Sequence, residues 1–460
     1  METGRAIVWS LVLPVLSAGA ARGATNLTWN AGADERIRHE IVHNLPRGGR
    51  SGRGVADGTN WIRFRTRTWG LVEGERFRLY GRLGNEFRLY PTDAGPGGST
   101  RNWRFPDELF VDNLYLDMKD LFDGWLDVRA GRQDFLGSEA YGSKRVIGDG
   151  TPGDDSRSDY FDAVRARVSF TETEKLDALA IWNEADYSLR WGDHGGTHRE
   201  RNAIVQGSSG LDEVGGGLYH RSRTFSGLPF DVYWLYKHES AADAADGSRL
   251  RGRDLHTFGT LLMPKFTENL SGEFEFAWQA GKRDDGPRVG GHMAYAALDC
   301  DFRPGRTVDP WIRGSCYYMS GDRHRDGGHD TDYAWDPVWS RWPQFSDLWV
   351  KTFFYGIAYW SNLVYPALEG GVRCAGFGSV KAATGPLCAA VDDGAGHGDG
   401  GCFIGWLSSV QLEVPLFDGL WNGRGSAKSH IRGELLNPSG DYTESTRPAL
   451  YCRWDVTISF

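Results

Sequence analysis

The last ten residues are Tyr451-Cys452-Arg453-Trp454-Asp455-Val456-Thr457-Ile458-Ser459-Phe460, and their reading decides the fold. Trp454, Val456, Ile458 and Phe460 fall on one face of an extended chain; Arg453, Asp455, Thr457 and Ser459 fall on the other. Side chains alternate sides along a strand, so a period of two marks a β-strand with one apolar and one polar face. The same grammar recurs upstream. Ile62 and Phe64 oppose Arg63, Arg65 and Arg67, and Phe77, Leu79, Leu83, Phe87 and Leu89 oppose Arg78, Arg82, Glu86 and Arg88. Leu126, Val128 and Ala130 oppose Asp127, Arg129 and Gln133. Val164, Ala166, Val168 and Phe170 oppose Arg165, Arg167 and Ser169. Two later windows, 230–237 and 270–279, set Phe, Val, Leu and Trp against Asp, Glu and Lys in the same way.

Alternation suits a soluble sandwich, with its apolar face inward, as well as a transmembrane barrel, with that face turned out to lipid. Composition and punctuation separate the two. The 460 residues include 62 Gly and only 18 Pro, aromatics make up 13%, the net charge is −9 and the mean hydropathy is −0.47. Glycine stands near twice its usual share of about 7%. Beyond residue 25 no apolar run approaches the ~20 residues of a spanning helix, which excludes a helical membrane protein. The aromatic content excludes disorder, and the acidic balance excludes a basic nucleic-acid binder. What remains is a large, ordered chain, oddly polar for its size, as a closed barrel with a wet interior would be.

Aromatic residues near strand ends (Trp61, Trp69, Tyr80, Tyr90, Trp103, Trp125) match interfacial girdles. Polar, Gly- and Asp-rich stretches at 92–101, 148–159, 322–332 and 394–401 are long for a compact soluble domain and ordinary as extracellular loops. Allowing roughly 22–27 residues per strand and connection gives roughly 16–20 antiparallel strands. At that size side chains cannot fill the interior, which becomes a channel. No linker divides residues 25–460, which read as one all-β barrel.

Met1 to Ala24 reads as a secretory signal, with Arg5 in the n-region, an apolar run from Ala6 to Leu16, and Ala18-Gly19-Ala20 as the cleavage motif. Behind such a signal, a final strand ending on Phe460 resembles the terminal strand of bacterial outer-membrane barrels. The expected location is therefore a Gram-negative outer membrane, in contact with its lipid.

Several further pieces together resemble the alginate-export family of outer-membrane barrels. They are Glu35-Arg36-Ile37-Arg38-His39-Glu40, Trp61 to Arg67, Phe105-Pro106-Asp107-Glu108-Leu109, Gly131-Arg132-Gln133-Asp134, Tyr160 to Arg165, Gly433 to Pro438 and the closing strand. The resemblance is strongest over 30–185 and 430–460. It implies an 18-stranded monomeric barrel whose Arg-rich lumen passes an anionic polyuronate outward, with a loop or plug at the opening and export partners on the periplasmic side.

The residues themselves also point to anions. Arg63, Arg65, Arg67, Arg78, Arg82, Arg88, Arg129, Arg165 and Arg167 lie on the polar faces of four windows, and Arg453 on that of the last strand. Consecutive strands pair in an up-and-down barrel, so these side chains are expected to form a basic, pore-lining wall hidden by the overall net charge. Arginine's planar fork suits carboxylates, and the contacts must stay weak enough for release. Glu86, Asp127, Glu273 and Glu275 are expected to limit over-binding and hold the arginines upright. The alternative is that Arg and Glu merely cross-brace the wall.

Other motifs carry less. His39-Glu40-Ile41-Val42-His43 spells H-E-x-x-H, but zinc proteolysis needs a helix, and Pro46 and Gly48-Gly49 end any helix here. Gly396-His397-Gly398-Asp399-Gly400-Gly401 spells G-x-G-x-x-G without a following helix pattern. His324, Asp326, His329, Asp330 and Asp332, like Asp149, Asp154, Asp155 and Asp159, read as solvated outer loops rather than cation sites. Six cysteines allow 15 pairings; a loop disulfide among Cys374, Cys388 and Cys402 is expected, and Cys452 is expected to meet lipid as a free thiol. No catalytic residue and no cofactor emerges. The expected function is facilitated diffusion of an anionic polysaccharide or uronate, the alternatives being a general anion or sugar porin and a non-conducting structural or adhesin barrel.

Overall fold

The computed structural model describes residues 27–47, 54–56, 59–89, 103–104, 109–147, 161–184, 190–191, 212–243, 249–250, 252–284, 286–323, 330–340, 345–349, 361–392, 402–419, 425–440 and 446–460. Eighteen long strands form a closed antiparallel barrel. In chain order they are β1 (Thr28–His43), β2 (Thr59–Glu73), β3 (Phe77–Leu89), β4 (Leu109–Leu121), β5 (Leu126–Gln133) and β6 (Phe161–Ser169). The middle third comprises β7 (Glu174–Asn183), β8 (Glu213–Ser222), β9 (Phe230–Glu239), β10 (Arg253–Leu262), β11 (Leu270–Arg283) and β12 (His292–Asp301). The last third comprises β13 (Val308–Met319), β14 (Leu363–Cys374), β15 (Gly378–Cys388), β16 (Phe403–Gly419), β17 (Gly425–Pro438) and β18 (Ala449–Ser459). Each strand pairs with the next, and β18 returns to β1 with Asp34 opposite Ser459 and His43 opposite Leu450. Closure leaves no sheet edge, as a membrane-spanning sheet requires.

The alternation resolves in favour of lipid outside. On β11 Phe276 is 53% exposed, whereas its neighbour Glu275 is 3% exposed. Val232 and Trp234 on β9, Phe258 on β10, Leu368 on β14, Ile431 on β17 and Trp454 on β18 also face outward. Replacing Phe276 by Arg puts a charge near mid-height of this band, which should destabilise the barrel by about 2–4 kcal/mol. Denaturant titration in lipid vesicles checks this, and an unmoved midpoint would show that the face does not meet hydrocarbon.

Short turns alternate with long connections, and the start of β1 and the end of β18 lie on the short-turn rim. Short turns are periplasmic and long loops extracellular in barrels of this type. Exposed aromatics mark the short turns: Phe122 and Trp125, Phe170, Phe225, Phe266, Phe302 and Phe377. Trp125 thus sits where a girdle was expected. Trp61, Trp69 and Tyr80 do not. They share the parity of the arginines and face the lumen, where Trp61 donates to Glu40 at 2.6 Å and Trp69 stacks on Tyr80 at 6.2 Å. Tyr90 and the side chain of Trp103 lie outside the described residues.

All six cysteines are free. Cys374 and Cys388 cannot pair because they sit at opposite ends of the barrel wall, flanking the length of β15. Cys452 is exposed on the outer face of β18, as the alternation predicts. His39 lies on extended β1, bonded to Asn60 at 2.7 Å, so the H-E-x-x-H run has no helix to work from. The signal segment, residues 394–401, 148–159 and 324–329 fall outside the described residues.

Candidate functional site

Two connections from the long-loop end turn into the barrel instead of standing above it. The first, residues 134–147, follows β5; the second, including residues 330–340 and 345–349, follows β13. Their aromatics pack with inward residues of the wall into a buried cluster: Phe135 and Tyr141 from the first, Trp335, Trp339 and Trp349 from the second, against Phe161, Tyr219 and Tyr233. The segments also join each other. Ile147 bridges Trp339, whose N–H donates to the Val146 carbonyl at 3.0 Å, and Ser340 donates to the Lys144 carbonyl at 2.6 Å. The wide interior expected from strand count is therefore narrowed by chain, not only by side chains.

Buried charges moor both segments. Glu275 on β11 takes the Ser143 hydroxyl, the Tyr233 hydroxyl at 2.6 Å and the Arg145 guanidinium at 2.6 Å. Asp336 meets Arg253 at 2.6 Å, and Lys237 donates to the Val338 carbonyl at 3.0 Å. Farther round the wall, Glu434 on β17 accepts the N–H groups of Asp347 at 2.9 Å and Leu348 at 3.0 Å and the Ser346 hydroxyl. The second segment thus reaches from the β9–β11 wall to β17. Such buried pairs contribute little net stability when intact, but losing one partner is costly.

Of the arginines singled out in sequence, those whose side chains are described lie on inner positions and are matched by carboxylates. Arg63 has Glu40 at 3.3 Å and Glu86 at 3.7 Å; Arg65 and Arg67 share Asp34 at 3.1 and 3.0 Å. Arg82 bridges Asp112 and Asp134, both at 2.7 Å. A bulge opposite Arg82 and Leu83 brings the consecutive Asp112 and Asn113 into that one cluster. Arg129 holds Asp117 at 2.6 Å, Arg167 holds Asp177 at 2.7 Å, and Arg165 meets Glu139. Burial pushes the Glu139 carboxyl up, but Arg165, Arg129 and Arg167 outweigh it and hold the group below its ordinary value. Arg453 contacts Asp347 and Asp455, both at 3.1 Å. Arg78 sits beside Glu73 at 3.6 Å on the short-turn rim, and Arg88 occupies the register position opposite Arg63.

Two expected roles differ. Asp127 accepts the Asp120 N–H at 3.0 Å and so braces the β4–β5 turn rather than an arginine. Glu273 and Glu275 both bind Arg145 of the inward segment, and Glu273 also holds Arg313 of β13 at 3.0 Å, as a carboxylate bracing a wall arginine would.

Barrel closure adds cations that local reading missed. In register across β17, β18, β1, β2 and β3 run His430, Asp455, Arg38, Arg63 and Arg88; the adjacent inward row is Lys428, Thr457, Arg36, Arg65 and Glu86. Seven of these ten positions are basic or histidine, and only Asp455 and Glu86 are acidic. Arg432 lies beside Arg453 in the next row. The signal for Arg36 and Arg38 was present in the alternation of β1. Their neighbours 390 and more residues away were visible only once β18 met β1.

On the far side of the barrel, beneath the first inward segment, lies a cavity of about 550 Å³. Gly142, Lys144 and Arg145 roof it, and β11 to β15 form its sides.

No family model matches the chain, and no curated protein does. Solved structures match at the level of fold. Pseudomonas aeruginosa OccK5 (OpdH) superposes with a TM-score of 0.55 and 11% identity over 94% of this chain and 98% of its own. Acinetobacter baumannii OccAB1 gives 0.52 and 10% over 94% and 96%. Pseudomonas aeruginosa OpdK, solved with vanillate, gives 0.51 and 9% over 94% and 98%. OpdK itself is described as an outer membrane protein. The fold of this chain is accordingly that of a Gram-negative outer-membrane β-barrel. The match does not reach to the alginate-export family.

Proposed function

We propose that the chain is a monomeric outer-membrane channel that lets small anionic solutes, uronates in particular, cross by facilitated diffusion. The observation that supports this best is the double basic row across β17, β18 and β1 to β3, at register positions that share the inward parity. A unit pair at 4 Å interacts by about 1 kcal/mol in water and about 4 at an effective dielectric of 20, so a row of guanidiniums concentrates anions along one wall. Arg63, Arg65, Arg67, Arg82, Arg88, Arg129, Arg165, Arg167 and Arg453 would pass a carboxylate along that wall. Their own carboxylate partners, Glu86 among them, would keep each contact weak enough to break. Arg78 would act at the periplasmic mouth.

The uronate part of the reading rests on carboxylate–guanidinium chemistry and on the residue resemblance to alginate exporters. Passage of a long polyuronate is less favoured, because the inward segments, moored at Glu275 and Glu434, would have to leave the lumen. That OpdK was solved with vanillate, itself a carboxylate, is consistent with a small cargo. The reading requires no catalysis.

The test is current through a planar bilayer in potassium chloride. Anion-selective conductance is expected, falling as galacturonate is added at millimolar levels. A barrel that carries no current would favour a structural role; current indifferent to uronate would favour a general porin.

A further inference from the structure

The cavity under the first inward segment differs from the basic rows in a way that specifies another kind of ligand. Elsewhere in the lumen several ion pairs are dry: Arg253 and Glu239 have side chains 7% and 2% exposed, and Lys237 and Glu213 1% and 4%. Around the cavity both signs face water. Arg373 is 50% exposed and is shared by Asp301 and Asp309; Arg313 and Asp299 are 25% and 27% exposed and 3.1 Å apart. These partners can be exchanged for those of a solute at little cost, since exposed pairs are individually weak. Neither sign prevails on the wall. Glu273, Asp299, Asp301 and Glu369 stand against Lys144, Arg145, Arg313, Arg373 and Lys381. A purely anionic or purely cationic guest would meet as much repulsion as attraction.

The remaining walls are aromatic. The Arg145 guanidinium lies 3.8 Å from the Tyr295 ring centre, and Arg373 lies 5.9 Å from that of Trp311. A volume of about 550 Å³ suits a small organic molecule. Asp301 ends β12 and Arg373 is the penultimate residue of β14, so the site lies toward the short-turn, periplasmic rim.

We infer that this cavity is a second solute site, selective for small zwitterions with a ring, such as aromatic amino acids, over singly charged analogues. The solute's carboxylate would take Arg313 or Arg373, its ammonium Asp299 or Asp301, and its ring the face of Trp311. For delivery of the solute through the membrane the inference rests on the channel reading; for binding it does not.

Calorimetric titration of the detergent-solubilised full-length barrel tests it with three probes of one shape: phenylalanine, 3-phenylpropionate and 2-phenylethylamine. Phenylalanine should bind about tenfold more tightly than either singly charged compound, the difference between satisfying both signs and opposing one. Arg373→Gln and Asp299→Asn should each weaken it several-fold, and Asp299→Asn should also narrow its lead over 3-phenylpropionate. Both residues are partly exposed, so the variants should fold, which circular dichroism and heat-dependent gel mobility verify. Equal binding of the three probes, tighter binding of the anion, or indifference to both substitutions would overturn the inference. Selective binding without bilayer current would leave this site standing and remove the channel reading; current without selective binding would do the reverse.

Discussion

Replacing Arg63, Arg65 and Arg67 together by Gln is expected to abolish the channel's preference for anions and bring the reversal potential in a potassium chloride gradient close to zero. The three lie at successive inner positions of β2, opposite Arg38, Arg36 and Asp34 of β1. Asp34, Glu40 and Glu86 all lean on them. Their loss removes three positive charges and leaves three carboxylates with less compensation, so the local excess of positive charge is cancelled. With about 4 kcal/mol per close pair at an intermediate dielectric, the change in selectivity should be tenfold or more. The matching Arg→Lys triple keeps the charge and should keep the sign of the potential, with weaker uronate block because the planar two-point fork is gone. Unchanged selectivity in the Gln triple would remove these residues from the path and leave them as wall braces.

The second large effect is expected at Glu275. Its carboxylate collects Ser143, Tyr233 and Arg145, and so moors the first inward segment to β11. Glu275→Ala leaves the Arg145 guanidinium buried with Glu273 as its remaining carboxylate partner, a loss of about 3–5 kcal/mol for a broken buried pair. The segment should then leave its seat, and single-channel conductance should rise several-fold with added open-channel noise. Glu275→Gln retains the hydrogen-bond acceptor and should fall between the two. Conductance identical to the parent would mean that residues 134–147 do not restrict the lumen. The noise and conductance traces decide this, and urea titration reads the stability change independently.

Much of the wall could be read in the sequence because alternation is local. The outward positions of Phe276, Trp278 and Trp454 and the inward ones of Arg63 to Arg67 follow from parity within single windows. Parity also contained the correction for Trp61, Trp69 and Tyr80, which share spacing with arginines; their aromatic character and position near strand ends pointed the other way. The inward segments were not legible. Nothing local distinguishes a polar connection that stands in water from one that folds back. What holds residues 134–147 and 345–349 in place are Glu275 and Glu434, more than 80 residues away in sequence. The balanced walls of the cavity were hidden for the same reason: their members come from five strands and a loop. The family resemblance anticipated the strand number and a plug, while the solved structures that share the fold belong to a different set of channels.

The seam between β1 and β18 joins the two extremities of the polypeptide, as when the Tyr451 hydroxyl reaches Glu40 at 2.7 Å across 411 residues. Such a contact exists only once the ring has closed, and the entropy of that closure grows with the span. The electropositive track straddles that same join. A barrel whose terminal strand has not docked therefore lacks the two basic positions that β17 brings to the track, so sealing the cylinder is also what completes it.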